Sequence, residues 1–179
     1  TSNAGTASAS ASPICSASNV TLTLNGSVGN IQWQSSTDGS TYNNISGATT
    51  TPYTTTGGLT RNMYYRAVVT SGACAAATGS GILVAVDSPS VAGTISGTTS
   101  IVSGTSTTLT LNGYRGSIQW QSSSNNTTYT DITGENGISY ITPNLTVNTY
   151  YRAVVTNGVC TSTNSAPAYV TVSEPSVGG

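Results

Sequence analysis

The sequence predicts an all-β protein made of two tandem sandwich domains, and three observations support this prediction. The chain repeats itself, because "MYYRAVVTSGAC" at 63–74 returns as "TYYRAVVTNGVC" at 149–160. Apolar residues alternate with polar residues over short segments, which is the pattern of a half-buried strand. Clusters of Gly, Ser, Thr and Asn separate these segments as turns, and no window has a helical period.

The repeat runs through the whole chain at a nearly constant spacing. "GNIQWQSSTDGSTYNNISG" at 29–47 returns as "GSIQWQSSSNNTTYTDITG" at 116–134, which is 87 residues later. This unit is longer than the roughly 20–50 residues of a solenoid repeat and is large enough to be a domain. We therefore expect one domain at 1–88, a second at 89–175, and the start of a further repeat at 176–179, as in a fragment of a longer array.

The strands of one unit are predicted from the pattern of apolar and polar residues in each segment. "VTLTLN" places Val20, Leu22 and Leu24 on one face, and "NIQWQS" then places Ile31 and Trp33 on one face. "YYRAVVT" does the same with Tyr65, Ala67 and Val69, and "GILVAV" follows as a more continuous apolar run. About seven short strands per unit, with turn signals every 8–12 residues, are typical of an antiparallel sandwich.

The spacing of the aromatic residues matches that of immunoglobulin-like sandwiches. That fold buries a Trp on its third strand and a Tyr on its sixth strand, two residues before a core Cys. The expected core residues are Leu22, Trp33, Tyr65 and Ala67 in the first unit and Leu109, Trp120, Tyr151 and Ala153 in the second. Because Leu and Ala stand where the fold has cysteines, we expect aliphatic packing in place of the inter-sheet disulfide.

The three cysteines require another interpretation. Cys15 precedes the second strand and Cys74 follows the sixth, and the first and last strands of a sandwich run side by side. We therefore expect a Cys15–Cys74 disulfide, which contributes about 4 kcal/mol in the chain-entropy model and implies an oxidising compartment. Cys160 corresponds to Cys74, but Val102 stands where Cys15 would repeat, so we expect a free thiol at Cys160. The open alternative is three reduced cysteines that pack as small apolar groups.

Composition excludes several classes of function. The chain has four basic residues, all arginine, against five acidic ones, and no histidine. It therefore lacks the basic stripe that nucleic-acid binding needs, and it has no apolar run of about eighteen residues for membrane insertion. Without His or Lys, the Ser-His-Asp, Cys-His and Ser-Lys nucleophile systems are absent, and no carboxylate occurs at matching positions of both copies. We expect no enzyme activity, no metal and no cofactor.

Three surface features are candidates for contacts. A type I′ hairpin turn explains Asp38-Gly39, with a weak calcium site as the alternative. Arg66 and Arg152 alternate away from the core, so we expect them to lie on the sheet surface and either stack on Trp or Tyr rings or pair with a nearby acid. Tyr114 and Arg115 have no counterpart in the first unit, where Ser27-Val28 stand. This pair is the candidate ligand contact.

The repeated lines resemble the Ig-like repeats of very large surface adhesins from gliding Bacteroidetes, including the mobile gliding-motility adhesin. The shared pattern is G-x-I-Q-W-Q-x-S, a spaced Tyr, and Y-Y-R-A-x-V-T-x-G-x-C. It occurs at 29–36, Tyr42 and 64–74, and again at 116–123, Tyr129 and 150–160. The resemblance implies export to the cell surface in association with the outer membrane, tandem arrays, and a role in adhesion or motility.

The leading hypothesis is therefore a non-enzymatic module of a secreted adhesin, acting as an extended stalk or as a multivalent weak binder. Its expected partners are extracellular polysaccharide or a solid surface, and neighbouring repeats of the same chain. Two alternatives stay open: a carbohydrate-binding accessory module of a secreted polysaccharide-degrading enzyme, and a spacer that binds nothing.

Overall fold

The computed structural model describes residues 1–175, and all regular elements in that range are strands. The chain divides into two compact units, Thr1–Ser88 and Pro89–Gly179. The segment 176–179, where the start of a further repeat is expected, lies outside the described residues. Within residues 1–175 there is no helix long and apolar enough to span a bilayer. The all-β prediction is confirmed.

The first unit has two sheets and one short parallel pair. The back sheet has the order β1-β3-β6, and the front sheet has the order β5-β4-β7, with β8 and β9 both paired to β7. Strand β10 pairs with β2 in parallel. The strands are β1 (Thr6–Ala9), β2 (Ile14–Cys15), β3 (Thr21–Asn25), β4 (Asn30–Ser36), β5 (Asn43–Asn44), β6 (Tyr53–Thr54), β7 (Met63–Thr70), β8 (Ala77–Thr78), β9 (Ile82–Val84) and β10 (Val86–Asp87).

The second unit repeats this topology. Its back sheet has the order β11-β13-β16, and its front sheet has the order β12-β19-β17-β14-β15, with β18 also paired to β17. The contact between β12 and β19 is parallel. The strands are β11 (Thr94–Gly97), β12 (Ser100–Val102), β13 (Thr108–Asn112), β14 (Ser117–Ser123), β15 (Thr130–Asp131), β16 (Ser139–Ile141), β17 (Thr149–Thr156), β18 (Thr163–Asn164) and β19 (Ala168–Ser173).

The register of the two long central strands places the tryptophan in the core. Trp33 lies opposite Ala67, and Trp120 lies opposite Ala153. Directly opposite residues on one face of an antiparallel pair are near neighbours, so the small alanine leaves room for the indole ring. This explains why the repeated lines "IQWQ" and "YYRAVV" occur together in each unit.

Each core is closed by buried aromatic and aliphatic side chains. Trp33 and Trp120 are completely buried. Their indole Nε1 atoms donate hydrogen bonds of 2.9 Å to the carbonyl oxygens of Thr50 and Gly137, so neither buried N–H is left without a partner. The remaining fully buried large side chains are Leu22, Val20, Val69, Val84, Leu109, Leu111, Tyr151, Val155 and Val170.

The core tyrosines pack against these groups. Tyr65 and Tyr151 are buried, and this burial, followed by the influence of a second tyrosine, raises the pKa of each phenol to about 12. The second tyrosine is Tyr53 for Tyr65 and Tyr140 for Tyr151. Both phenols are therefore held in the neutral form at any physiological pH.

The structure corrects the cysteine prediction. Cys74 is exposed and has a free thiol, whereas Cys15 and Cys160 are both disulfide-bonded. The expected Cys15–Cys74 disulfide is therefore wrong, and so is the expected free thiol at Cys160.

The reason is that Cys15 and Cys74 lie at opposite ends of the first unit. Cys15 is in β2, and β2 pairs with β10. Strand β10 directly follows β9, whose last residue, Val84, lies opposite Met63. Met63 is the first residue of β7, so Cys15 lies near the beginning of β7. Cys74 lies in the turn after the last residue of β7. An eight-residue strand spans about 23 Å at roughly 3.3 Å per residue, and a disulfide needs Cα atoms within about 7 Å. Strand β2 does run beside the last strand, β10, but Cys74 lies at the other end of the unit.

Candidate functional site

The outer face of the front sheet carries the same group of side chains in both units. Since Tyr65 and Ala67 point into the core, period-two alternation turns Arg66 outward, and the register places Gln34 opposite it. We use the name outer cluster for Gln34, Tyr42 and Arg66 in the first unit and for Gln121, Tyr129 and Arg152 in the second.

In the first unit the outer cluster is held by three contacts. The Arg66 guanidinium carbon lies 4.0 Å from the centroid of the Tyr42 ring. Its Nε donates a 2.8 Å hydrogen bond to Gln34 Oε1, and Gln34 Nε2 donates a 2.8 Å bond to Asn44 Oδ1. The glutamine thus orients the guanidinium plane over the ring.

The second unit repeats this geometry with one change of charge. The guanidinium carbon of Arg152 lies 3.8 Å from the Tyr129 centroid, and its Nε donates a 2.7 Å bond to Gln121 Oε1. Gln121 Nε2 donates a 2.7 Å bond to Asp131 Oδ1, where the first unit has the neutral Asn44. Of the two contacts expected for these arginines, the structure shows the stacking on aromatic rings. Such cation–π contacts stabilise by about 0.5–1 kcal/mol at exposed sites.

A second row of outward side chains distinguishes the two units. Tyr150 stacks on Tyr169 with ring centroids 4.2 Å apart and an interplanar angle of 22°. Tyr169 is 40% exposed, and its hydroxyl accepts a 2.9 Å hydrogen bond from Asn148 Nδ2. In the first unit the equivalent pair across the two strands is Tyr64 and Leu83.

The turn after β4 is built around the Asp38 carboxylate. Oδ1 accepts 2.8 Å hydrogen bonds from the backbone N–H groups of Ser40 and Thr41 and a 2.7 Å bond from the Ser36 hydroxyl. These donors, the Ser40 N–H first, hold the pKa of Asp38 well below its usual range. Gly39 follows with φ 73°.

The expected type I′ turn at Asp38-Gly39 is wrong. That turn needs positive φ at both central residues, and Asp38 has no positive φ. Instead the Asp38 side chain forms an Asx turn within the six-residue connection 37–42. In the second unit Asn125 takes the role of Asp38, and Asn126, with φ 60°, takes that of Gly39. Within residues 1–175 no three Cys, Asp or Glu residues cluster as metal ligands.

A surface pocket lies at this turn in each unit. Its volume is about 400 Å³ in the first unit and about 570 Å³ in the second. The residues correspond one to one: Ser35, Ser36, Thr37, Asp38, Thr41, Asn43 and Met63 in the first unit; Ser122, Ser123, Ser124, Asn125, Thr128, Thr130 and Thr149 in the second. Hydroxyl and amide groups therefore line the second pocket without any charged side chain.

The candidate ligand residues Tyr114 and Arg115 have different environments. Tyr114 packs partly against the second core and lines a pocket of about 300 Å³ with residues that include Ile118 and Asn136. Arg115 exchanges two backbone hydrogen bonds with Val91, of 3.0 and 3.2 Å, and does not line that pocket. Tyr114 is therefore partly structural, and the ligand contact at this turn stays a prediction.

The stacked pair of Tyr150 and Tyr169 was missed by the sequence reasoning, although a signal for it was present. The inward assignment of Tyr151 requires that Tyr150 point outward. The last strand reads "AYVTVS" in the second unit where the first has "ILVAVD", so the repeat itself marks Tyr169, at the position of Leu83, as a difference. What the alternation did not show is that these two positions face each other across the strands.

Comparison with solved structures establishes the fold. The chain is similar to murine CEACAM1b at 17% identity and a TM-score of 0.53, covering 93% of this chain and 98% of that one. It is also similar to domains A168–A170 from titin at 14% identity and a TM-score of 0.53, covering 96% of this chain and 68% of that one. With the sheet topology, these similarities confirm two tandem immunoglobulin-like β-sandwich domains.

Comparison at the level of sequence gives the family. No curated protein matches the chain. The family model described as "Domain of unknown function (DUF8696)" matches twice, at residues 3–88 and at residues 91–174. None of these similarities concerns gliding-motility adhesins. Because the two matches cover nearly the whole sequence, the chain belongs to the DUF8696 family and carries two copies of its domain.

Proposed function

We propose that this chain is a non-enzymatic repeat module of a cell-surface adhesin that makes many weak contacts through the outer faces of its front sheets. The observation that carries the proposal is the recurrence of the outer cluster. The distance from guanidinium carbon to ring centroid is 4.0 Å in one unit and 3.8 Å in the other, and the same glutamine bond orients both arginines.

The outer cluster lies where the core does not require it. Ordering an arginine and a glutamine on a surface costs side-chain entropy, about 1.5–2 kcal/mol for each fully immobilised side chain. The network is nevertheless formed twice, with a flat ring and a guanidinium presented together. Pre-ordered groups bind a partner at a lower entropic cost, and this supports a role in contact.

Repetition supports weak, multivalent binding. When several units bind the same surface, each later contact is intramolecular, so avidity exceeds the affinity of one unit by large factors. A chain with four basic and five acidic residues also avoids indiscriminate electrostatic adhesion. Extracellular polysaccharide or a solid surface is the partner that this arrangement suits.

An extracellular location fits the cysteines. Cys15 and Cys160 are disulfide-bonded, and structural disulfides persist in oxidising compartments. The resemblance of the repeated lines to the Ig-like repeats of gliding Bacteroidetes adhesins supports a place at the outer membrane surface and a role in gliding motility. The lack of histidine and lysine supports a function without catalysis.

The test compares the same protein in monomeric and multivalent form. The chain is coupled to beads at increasing density, and retention on a panel of immobilised polysaccharides is measured beside the soluble monomer. We expect retention that rises steeply with density and a weak monomer. Beads that are not retained at any density would contradict the adhesin and leave the spacer.

Variants of the two candidate contact regions locate the binding surface. The double variant Arg66→Ala, Arg152→Ala removes both guanidinium groups and should reduce retention. Tyr114→Ala, Arg115→Ala tests the turn that the sequence singled out. Circular dichroism of each variant checks that the sandwiches are intact.

A further inference from the structure

We propose that the second unit binds a neutral glycan chain, with the exposed ring of Tyr169, backed by Tyr150, stacking against the flat face of a sugar ring. This inference rests on the proposed function and names the ligand class of one of its surfaces. We use the name tyrosine platform for Tyr129, Tyr150 and Tyr169.

The platform is one connected group. Tyr150 and Tyr169 are stacked with their centroids 4.2 Å apart. Arg152 lies two residues after Tyr150 on β17 and therefore faces the same side of the sheet, and its guanidinium carbon lies 3.8 Å from the Tyr129 centroid. Asn148 holds the Tyr169 hydroxyl at 2.9 Å. The rings therefore have set positions on the outer face of the front sheet.

The platform does not serve the core of the unit. The core already contains Tyr140 and Tyr151 on the opposite side of the sheet, with their ring centroids 5.5 Å apart. Tyr169 remains 40% exposed after stacking. A flat aromatic surface that stays open to water is suited to a ligand with both apolar and polar faces, since tyrosine combines an apolar ring with a hydroxyl.

The groups around the platform match the polar edges of a sugar. A pyranose ring has C–H groups on its faces and hydroxyls at its edge, so it needs a flat apolar surface flanked by donors and acceptors. Arg152 donates to Gln121 through Nε, and its guanidinium group also carries the Nη donors. The amide of Asn148, which donates to the Tyr169 hydroxyl, adds a further polar group beside the exposed ring.

The charge of the surface favours a neutral ligand. Asp131 lies on the same network as Arg152, because Gln121 bonds to both side chains, so the two charges offset each other locally. An acidic polysaccharide would meet Asp131 without a surplus of positive charge. Charge complementarity thus selects a neutral chain.

The first unit serves as an internal control, because it lacks the second ring. Leu83 stands at the position of Tyr169, and the neutral Asn44 stands where the second unit has Asp131. We therefore expect one glycan site per chain, on the second unit.

The experiment measures binding of the whole chain to neutral hexasaccharides of glucose, mannose and xylose, with a hexasaccharide of galacturonic acid as the charged comparison. Calorimetry should give one site per chain for at least one neutral hexasaccharide. Tyr169→Leu, which places the first unit's residue in the second, should weaken binding at least fivefold, whereas Tyr169→Phe, which keeps the ring, should stay within about twofold of the wild type.

Leu83→Tyr is the matched gain of function. It builds the missing ring in the first unit, and an increase in the number of sites, or tighter binding to beads, supports the platform. Near-ultraviolet circular dichroism confirms that Tyr169→Leu is folded, and the natural Leu83 shows that the fold accepts leucine there.

The outcomes separate the inference from the proposed function. If beads adhere but Tyr169→Leu adheres equally, or only the galacturonic acid chain binds, the platform proposal is overturned and the adhesin stands. The same holds if no neutral hexasaccharide binds the monomer, or if a proline-rich peptide binds the platform in place of sugars. If beads adhere to nothing, the adhesin itself fails.

Discussion

Replacing Trp120 with phenylalanine should destabilise the second unit by about 2 kcal/mol, since two costs add. The indole N–H donates a 2.9 Å bond to the Gly137 carbonyl, and the loss of such a hydrogen bond costs about 0.5–1.5 kcal/mol. The ring is completely buried, and the smaller phenyl ring loses apolar contacts and leaves a void, which costs about a further 1 kcal/mol.

The assay uses the single tryptophan in each unit. In Trp120→Phe the fluorescence comes from Trp33 alone, so it follows the first unit, whereas far-ultraviolet circular dichroism follows both. We expect the fluorescence transition in urea to stay near that of the first unit in the wild type. The dichroism should gain an earlier transition, because about 2 kcal/mol is a large part of the roughly 5–15 kcal/mol that stabilises a domain.

Trp33→Phe is the matched control, since its indole N–H makes the equivalent 2.9 Å bond to Thr50. It should reverse the pattern, with Trp120 now following the stable unit. A loss below about 1 kcal/mol in either variant would refute the reasoning, because the lost hydrogen bond and the void left by the smaller ring should together cost more than that.

Three further predictions follow from the side-chain environments. Iodoacetamide should label Cys74 in the native protein and the other two cysteines only after reduction, as peptide mass spectrometry would show; native labelling at another cysteine contradicts the disulfide assignment. The pKa of Tyr65 and of Tyr151 is raised to about 12, so the folded state favours the neutral phenols. Their contribution to stability is complete below about pH 10 and is lost as the pH rises to 12. Unfolding titrations at alkaline pH would detect this loss. The pKa of Asp38 is lowered, so the folded state favours its carboxylate, and this contribution to stability is present above about pH 4 and is lost as the pH falls. Asp38→Asn, which copies Asn125, should reduce the acid dependence of unfolding. Acid unfolding that is unchanged in this variant would contradict the prediction.

The internal repeat made much of the fold predictable. Comparison of two copies separates residues that recur because the core needs them from those that vary. Trp33 and Tyr65 recur as Trp120 and Tyr151, and all four are buried. Successive residues of a strand point to opposite faces, so assigning one face to the core also predicted that Arg66 and Arg152 point outward.

The candidate site was predictable in part. The alternation of residues predicted the side of the sheet on which the arginines lie, and the same argument places Tyr150 on that side. It could not give the partner of each residue across the strands, because that depends on the register between segments distant in the sequence. The stacking of Tyr150 on Tyr169 and the bond from Arg152 to Gln121 are consequences of that register.

By itself, then, the sequence determined the all-β class, the two-unit organisation and the buried residues, because these depend on local periodicity and on the repeat. Only the tertiary structure decided which side chains meet. It placed Cys15 and Cys74 at opposite ends of one sandwich, because the direction of each strand decides at which end its residues lie. It also brought the ring of Tyr169 against that of Tyr150, because strand pairing places residues side by side that are distant in the sequence.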